Sequence, residues 1–492
     1  MSGYVYFDES QDRRPGVFFS QDHCHDPETQ NALARLLRSM PEAEFQSIPL
    51  EELRALQKNG VHSGGKTEAN SEQQARVVGF FRSAKRRNAS DIHLLIGMNN
   101  VCIVQIRIHG ELHTIAQLEK DEGMQLASTI IMSMCDVTEK SFNPNRAQDG
   151  RIRKEFVQDL NLFGARYAHT PAEFGLYVVM RILPDEGGNP PSLQDLGFLP
   201  PQQQLIHRML SRPEGILIIA GPTGSGKSTS LRSFSELYLT RYGQHKRLLT
   251  LEDPPEGLIS GAVQTPVIAD KSDPLAVDFA WNRSISASLR LDPDAMIIGE
   301  IRDTNSLKSA LIAAKSGHLV QTTLHANDAP GILARLTDTL DVPVAHIADP
   351  QIMIGLIAQR LVQVLCPHCK QHWQEVQSKL TAAQHQLLTR HCQVEKLYFR
   401  HKEGCTYCTA GVTGRRVIAE VIGPDVGFMT KYRHEGKLAA RHYWVTELNG
   451  ITRRQHLQTY LNEGLVDPLD ADVQCPLDED VLTLSVLNKR PV

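Results

Sequence analysis

Two hydrophobic periods divide the chain. Apolar and polar residues alternate over 101–108 (VCIVQIRI) and stop at His109-Gly110, which predicts a strand closed by a tight turn. A helix over 72–87 (EQQARVVGFFRSAKRR) precedes it, and further strand material falls at 164–168 and 176–183. This stretch reads as an α+β domain. Beyond Ser192 the pattern becomes short apolar runs at 215–220, 247–251, 295–298 and 319–324 separated by helical stretches, the signature of a parallel sheet. Before these regions, residues 29–40 and 50–57 are amphipathic at helical spacing, and 60–71 (GVHSGGKTEANS) has the composition of a linker. Residues 185–191 (DEGGNPP) read as a hinge.

Composition narrows the class. A chain of 492 residues, 41% hydrophobic and 22% charged, has the make-up of a soluble protein of several domains. Its formal charge of −4 lacks the basic excess usual in nucleic-acid-binding proteins, so no nucleic-acid partner is expected. No apolar run approaches the roughly 18 residues of a membrane span, and the first residues lack a signal-peptide core; the expected compartment is the cytoplasm. The run Lys85-Arg86-Arg87 reads as a solvated helix end or a small basic patch, and 22–26 (DHCHD) as a polar loop or a metal-ligand cluster.

Most of the chemistry follows the apolar runs. Residues 215–229 (GILIIAGPTGSGKST) join a strand to a loop fitting G-x-x-x-x-G-K-[ST]. Gly221, Gly224 and Gly226 supply backbone freedom so that N–H groups converge on an anion, Lys227 reaches the β and γ phosphates, and Ser228 offers its hydroxyl to Mg²⁺. The candidate nucleotide-binding set is therefore Gly221, Pro222, Thr223, Gly224, Ser225, Gly226, Lys227, Ser228 and Thr229, with ATP and Mg²⁺ as cofactors. After the second run come Glu252 and Asp253, read either as metal-coordinating and water-activating carboxylates or as an acidic turn. The third run ends at Gly299-Glu300, where an acidic residue faces Mg²⁺ or the attacking water in P-loop ATPases. His318 and His325 bracket the fourth. Cys366-Pro367-His368-Cys369 and Cys405-Thr406-Tyr407-Cys408 supply four thiolates, enough for a tetrahedral Zn²⁺ site, with a redox CxxC as the alternative. The other five cysteines have no such pairing.

Taken together, GPTGSGKST, LEDPPE, LDPDAMIIGEIRD and SGHLVQTTLHANDA resemble the secretion ATPase superfamily, in its type II secretion and type IV pilus assembly branch. ASDIH at 89–93 and QDGRI at 148–152 extend the resemblance to the N-terminal half. The resemblance implies a RecA-like P-loop NTPase domain preceded by a PAS-like α+β domain, and arginines at 166, 181 and 290 that serve the nucleotide. Arg166 and Arg181 would reach the γ phosphate from the closing domain, and Arg290 would act across a subunit boundary. It also implies a catalytic set of Glu300, Glu252, Lys227, Arg166, Arg181, His318 and His325. Ser228, Glu252, Asp253 and Glu300 would hold Mg²⁺ directly or through water, and Cys366, Cys369, Cys405 and Cys408 a Zn²⁺ typical of assembly rather than retraction ATPases. The implied working unit is a homohexamer, cytoplasmic and peripheral at the inner membrane, on a polytopic platform protein with a bitopic accessory protein as a further partner. A conjugation-associated or DNA-transfer ATPase of the same superfamily is the alternative function.

Departures from the family pattern are Ser286 where an arginine is usual, Leu176 for glutamate and Pro255 for a branched aliphatic residue. The expected division is a module and linker at 1–72, the closing α+β domain at 73–184, a hinge at 185–192 and the ATPase domain at 193–365. A tetracysteine element at 366–424 and a helical region at 425–492 complete it.

Overall fold

The computed structural model describes residues 5–8, 16–21, 23–24, 26, 29–30, 33, 44–53, 66–136, 141–185, 189–269 and 274–484. Most of the helix expected at 29–40, two members of the 22–26 cluster and the centre of the hinge lie outside them. The N-terminal region, for which the sequence suggested only helices, contains a three-stranded sheet of Val5–Asp8, Gly16–Ser20 and Glu44–Ile48. Each strand has only four or five residues, too few for alternation to stand out.

The next helix is Lys66–Arg86, so residues 66–71, expected as linker, are helical. That segment contains neither glycine nor proline, and nothing in it stops a helix. Val77, Phe81 and Ala84, at helical spacing, are buried against a seven-stranded antiparallel sheet. Its order is Glu111–Glu119, Val101–Ile108, Ala89–Ile96, Gly175–Pro184, Leu162–Ala172, Gln148–Ile152 and Cys135–Asp136. The predicted alternation is real: Cys102, Val104, Ile106 and Ile108 point into the core. His109 and Gly110 both have positive φ (50° and 98°), as a two-residue type I′ hairpin requires.

The second large sheet runs Val263–Pro266, Leu248–Glu252, Ala295–Ile298, Leu319–Leu324, Gly215–Ala220, Met353–Leu365 and Val412–Ile422. All neighbours are parallel except the last pair. The Gly215–Ala220 strand is buried along its whole length because both faces are covered. Ile216 and Ile218 join one core with Met296, Ile298 and the helix Thr304–Lys315; Leu217 and Ile219 join another with Phe234 and Tyr238 of the helix Lys227–Tyr242. Two-sided burial is why these strands read as continuous apolar runs. Among the described residues five helices follow the last strand: Val426–Glu435, Lys437–Thr446, Arg453–Asn462, Pro468–Gln474 and Glu479–Leu484. No helix among the described residues is long and apolar enough to cross a membrane.

These C-terminal helices are locked on by buried polar contacts as well as by Leu457, Tyr460 and Leu461. His456 is fully buried; its Nδ1 accepts the Ala419 N–H at 3.1 Å and its Nε2 donates to the Gly197 carbonyl at 3.0 Å, which fixes a neutral ring. Burial lowers its pKa to about 4, with the two backbone bonds acting the other way. A histidine depressed in the folded state protonates first in the unfolded chain, so its stabilisation is complete above pH 6.5 and is lost as pH falls toward 4. From pH 7 to 5 this single group is expected to remove about 2 kcal/mol of stability. Denaturant titrations at both pH values, repeated on His456→Gln, test this: the variant should lose that much less between them.

Candidate functional site

The carboxyl end of the Gly215–Ala220 strand opens into the glycine-rich loop, and Gly226 is the cap of the helix Lys227–Tyr242. Gly221, Gly224 and Gly226 have φ of 156°, 78° and 83°. At Gly221 no other residue fits: an added Cβ would lie 2.4 Å from the Gln359 carbonyl and 2.5 Å from Ser225 Oγ. The first-turn amides of the helix have no partner within it and face an anion site. Lys227 folds back over the loop, its Nζ donating to the Gly221 and Pro222 carbonyls at 2.8 and 3.0 Å. Burial lowers its pKa, against the opposing pull of Glu300 and Glu256. Ser225 Oγ is buried without a hydrogen-bond partner, an orphan polar atom inside the loop that fits an anion-binding cradle.

Gln359, buried in the neighbouring Met353–Leu365 strand, braces this loop, and sequence reasoning missed it. Its amide nitrogen donates to the Ser225 carbonyl at 2.7 Å, and its oxygen accepts from Ser230 Oγ at 2.9 Å. One side chain thus ties the loop to the helix that follows it.

Around the loop stand three groups of charge. Glu300 lies between His325 Nε2 (3.1 Å) and Arg302 Nε (2.7 Å), so both carboxylate oxygens are oriented. Glu252 accepts from Thr250 Oγ1 at 2.6 Å and Gln264 Nε2 at 3.1 Å. From the N-terminal sheet, Arg166 donates to the Asp253 and Pro254 carbonyls (3.1 and 3.3 Å) and pairs with Glu256 at 3.2 Å. Arg181 stands beside Arg166 in register and pairs with Asp91 Oδ1 at 3.0 Å. The aspartate of the 89–93 motif therefore orients an arginine.

These groups line one cleft of about 1180 Å³ between the two large sheets. Pro222 to Thr229, Glu252, Asp253, Glu256, Glu300, Arg302, His325, Arg166 and Arg181 all line it. Three expected residues do not, and Gly221 is one of them, its backbone packed against the Gln359 carbonyl behind the loop. His318 precedes the strand Leu319–Leu324 that His325 follows, seven residues or about 23 Å away at the opposite end of the strands. There its Nδ1 bonds the Ala313 carbonyl and Ser316 Oγ, both at 3.1 Å. Arg290 sits past the end of the helix Pro274–Ser288, before the amino end of the Ala295–Ile298 strand, outside the cleft. At the other end, Arg360, Gln363, Arg415 and the helix Pro468–Gln474 complete the wall. None of these was anticipated; they come from strands and helices that carry no motif.

The N-terminal sheet is held over the cleft by polar contacts. Besides Arg166, the Gln363 side chain donates to the His109 carbonyl at 2.8 Å, and Arg400 grips Glu111 with both terminal nitrogens, at 2.5 and 2.8 Å. The Arg400 contact, then burial opposing it, leaves the Glu111 carboxyl lowered to about 2.

Cys366, Cys369, Cys405 and Cys408 converge, all four sulfurs within 4.8 Å of one another. The 366–405 and 369–408 pairs are 3.7 Å apart and the 405–408 pair 3.6 Å, and all four are free thiols. Four sulfurs about 2.3 Å from a central ion in tetrahedral array stand about 3.8 Å apart, so the residues fit a structural Zn²⁺. Among the described residues no other group of three or more candidate ligands gathers.

Two outcomes follow from these arrangements. Purified protein should carry about one zinc per chain by elemental analysis, and Cys366→Ser should lower that content and the thermal midpoint together. Gln359→Leu should cost about 2 kcal/mol or more in denaturant titrations, because it strands the buried Ser225 carbonyl and Ser230 hydroxyl, and should weaken nucleotide binding by calorimetry.

Comparison with known proteins gives the family. The model of the family described as Type II/IV secretion system protein matches residues 70–466. A Type IV pilus assembly ATPase PilB of Thermus thermophilus is 33% identical over 90% of this chain, though the match spans 46% of that protein. The putative type II secretion system protein E of Escherichia coli K12 is 33% identical, over 82% of this chain and 76% of its own length. The type II secretion system protein E of Pseudomonas aeruginosa is 37% identical, over 58% of this chain and 54% of its own length. Matches thus span from about half to three quarters of these relatives. In fold, the crystal structure of the pilus retraction motor PilT with bound ADP is similar at TM-score 0.54 and 22% identity, over 81% of this chain and 97% of that one. The ATPase DotB of Legionella pneumophila is similar at 0.53 and 21%, over 80% and 92%. The chain belongs to the type II/IV secretion system protein family.

Proposed function

We propose that this chain is a Mg²⁺-dependent ATPase that powers assembly of a type IV pilus or a type II secretion pseudopilus. The observation that carries the reading is Glu300: a carboxylate oriented by His325 and Arg302, lining the same cleft as the phosphate loop and Lys227. That arrangement can hold a water in line with a terminal phosphate and take its proton. Lys227 and the loop amides bind the phosphates. Arg166 and Arg181 offer guanidinium groups to the charge that spreads during transfer. Mg²⁺, when bound, would neutralise phosphate charge, with Ser228, Asp253, Glu252 and Glu300 as its direct or water-mediated holders. On this reading the chain divides into a PAS-like closing domain at 73–184, a hinge at 185–192 and a RecA-like domain from 193.

The wider setting rests on the family. Its matched members are pilus assembly and type II secretion proteins by name; by resemblance to that family the proposed working unit is a homohexamer at the cytoplasmic face of the inner membrane, working on a polytopic platform protein. A bitopic accessory protein is a further partner. Arg290, outside the cleft of its own chain, fits a role at the neighbouring subunit's site.

Phosphate release from the full chain with Mg²⁺ and ATP tests the core of this reading. Glu300→Gln should lower kcat by roughly 10²–10⁴-fold while nucleotide still binds. Equal rates in wild type and variant would remove Glu300 from the mechanism.

A further inference from the structure

We propose that Arg453, Lys437 and Glu420 are positioning residues for His325, and through it for Glu300. They do so by fixing the backbone just after the strand end that carries the histidine. The inference rests on the reading of Glu300 and His325 as parts of the hydrolytic site.

Three consecutive residues beyond Ala326 are each held by a different ionic group. Arg453 Nη1 donates to the Asn327 carbonyl at 2.8 Å. Lys437 Nζ reaches Asp328 Oδ2 at 2.5 Å, while Asp328 Oδ1 caps the helix Ala329–Ala334 by accepting the Gly331 N–H at 2.7 Å. Glu420 Oε2 accepts the Ala329 N–H at 3.0 Å. None of the three side chains lines the cleft. Each buried one is itself held from behind: Arg441 gives Nη1 to Glu420 Oε1 at 2.7 Å, and Arg453 pairs with Glu479 through Nη2.

The side chains of Glu420, Arg441 and Arg453 are 0%, 3% and 3% exposed, whereas Lys437 is 37% exposed. Apolar residues would anchor these helices at least as well, since a buried ion pair often contributes little beyond a hydrophobic replacement. What apolar contacts lack is direction: a charge-assisted hydrogen bond fixes where a carbonyl or an amide points. Direction matters here because His325 is half exposed and, among the described residues, its one ionic contact is Glu300. The ring therefore takes its position from the backbone behind it, and the C-terminal helices set that backbone without touching the cleft at this point.

The test uses the full chain and two mild substitutions, Lys437→Met and Arg453→Lys, because Arg453→Met would strand Glu479 in the interior and unfold the helices. Carbethoxylation of each histidine by diethylpyrocarbonate is followed by mass spectrometry without nucleotide, with His207 and His318 as internal controls. His325 is expected to react roughly threefold faster or more in both variants, with the controls unchanged and Lys437→Arg behaving as wild type. In turnover assays kcat should fall roughly tenfold while KM for ATP stays near wild type, since the phosphate loop is untouched. Wild-type labelling of His325 in both variants, or equal acceleration at every histidine, overturns the proposal. Faster labelling of His325 alone in protein whose wild type does not hydrolyse ATP would sink the ATPase reading and leave the positioning role standing.

Discussion

The site depends on one steric constraint: the backbone at Gly221 presses against the backbone of Gln359, leaving no room for a side chain. A phosphate loop must keep its N–H groups turned outward in left-handed conformations that the chain would otherwise abandon. Here the neighbouring strand holds them, with the Gln359 carbonyl against Gly221 and its side chain on Ser225 and Ser230. The loop is thus an extension of the sheet, and whatever fixes the Met353–Leu365 strand fixes the phosphate site.

That strand is fixed at its far end by the cysteines. Cys366 follows Leu365 directly, and Cys405 and Cys408 precede the paired strand Val412–Ile422. A metal at the four thiolates would close the excursion between two antiparallel neighbours, where cross-linking removes chain entropy that the small cluster around Trp373, Leu388 and Phe399 offsets only in part. The same excursion carries Arg400, whose Nε donates to the Ala410 carbonyl and whose terminal nitrogens hold Glu111 on the N-terminal sheet. Metal element, phosphate loop and covering domain are therefore joined through one pair of strands.

What the sequence revealed follows from how local each signal was. The phosphate loop, the acidic strand end, His325 and the four cysteines are set by short-range spacing, and the structure brings each group to one place. His318 was misplaced because a motif written along a parallel strand does not say which end of the sheet a residue occupies. Gln359 and the Glu420–Arg441 pair went unnoticed, and Glu256 was given no role although it closes LEDPPE, because each acts on a partner distant in sequence. The N-terminal strands were lost to their shortness, and the C-terminal helices, though helical in character, gave no hint that they return to residues 327–331.

The contrast between the two sets of arginine contacts bears on how such a molecule could move. Arg441 and Arg453 are enclosed, and separating them from Glu420 and Glu479 would leave charge in the interior, so that junction is expected to move as a rigid unit. Arg166 and Arg181 are about one-third to one-half exposed, and their carboxylate partners sit beside an open cleft. Water can replace Glu256 there at small cost, and so can another anion, whereas Asp91, only 8% exposed, would be left a largely buried charge without Arg181. In the proposed cycle a guanidinium already paired with Glu256 would need only to exchange one anion for another when a phosphate arrives, and the exchange would draw the N-terminal sheet with it. Mobility in the proposed cycle therefore belongs to the exposed arginines, and the buried ones supply the frame against which they move.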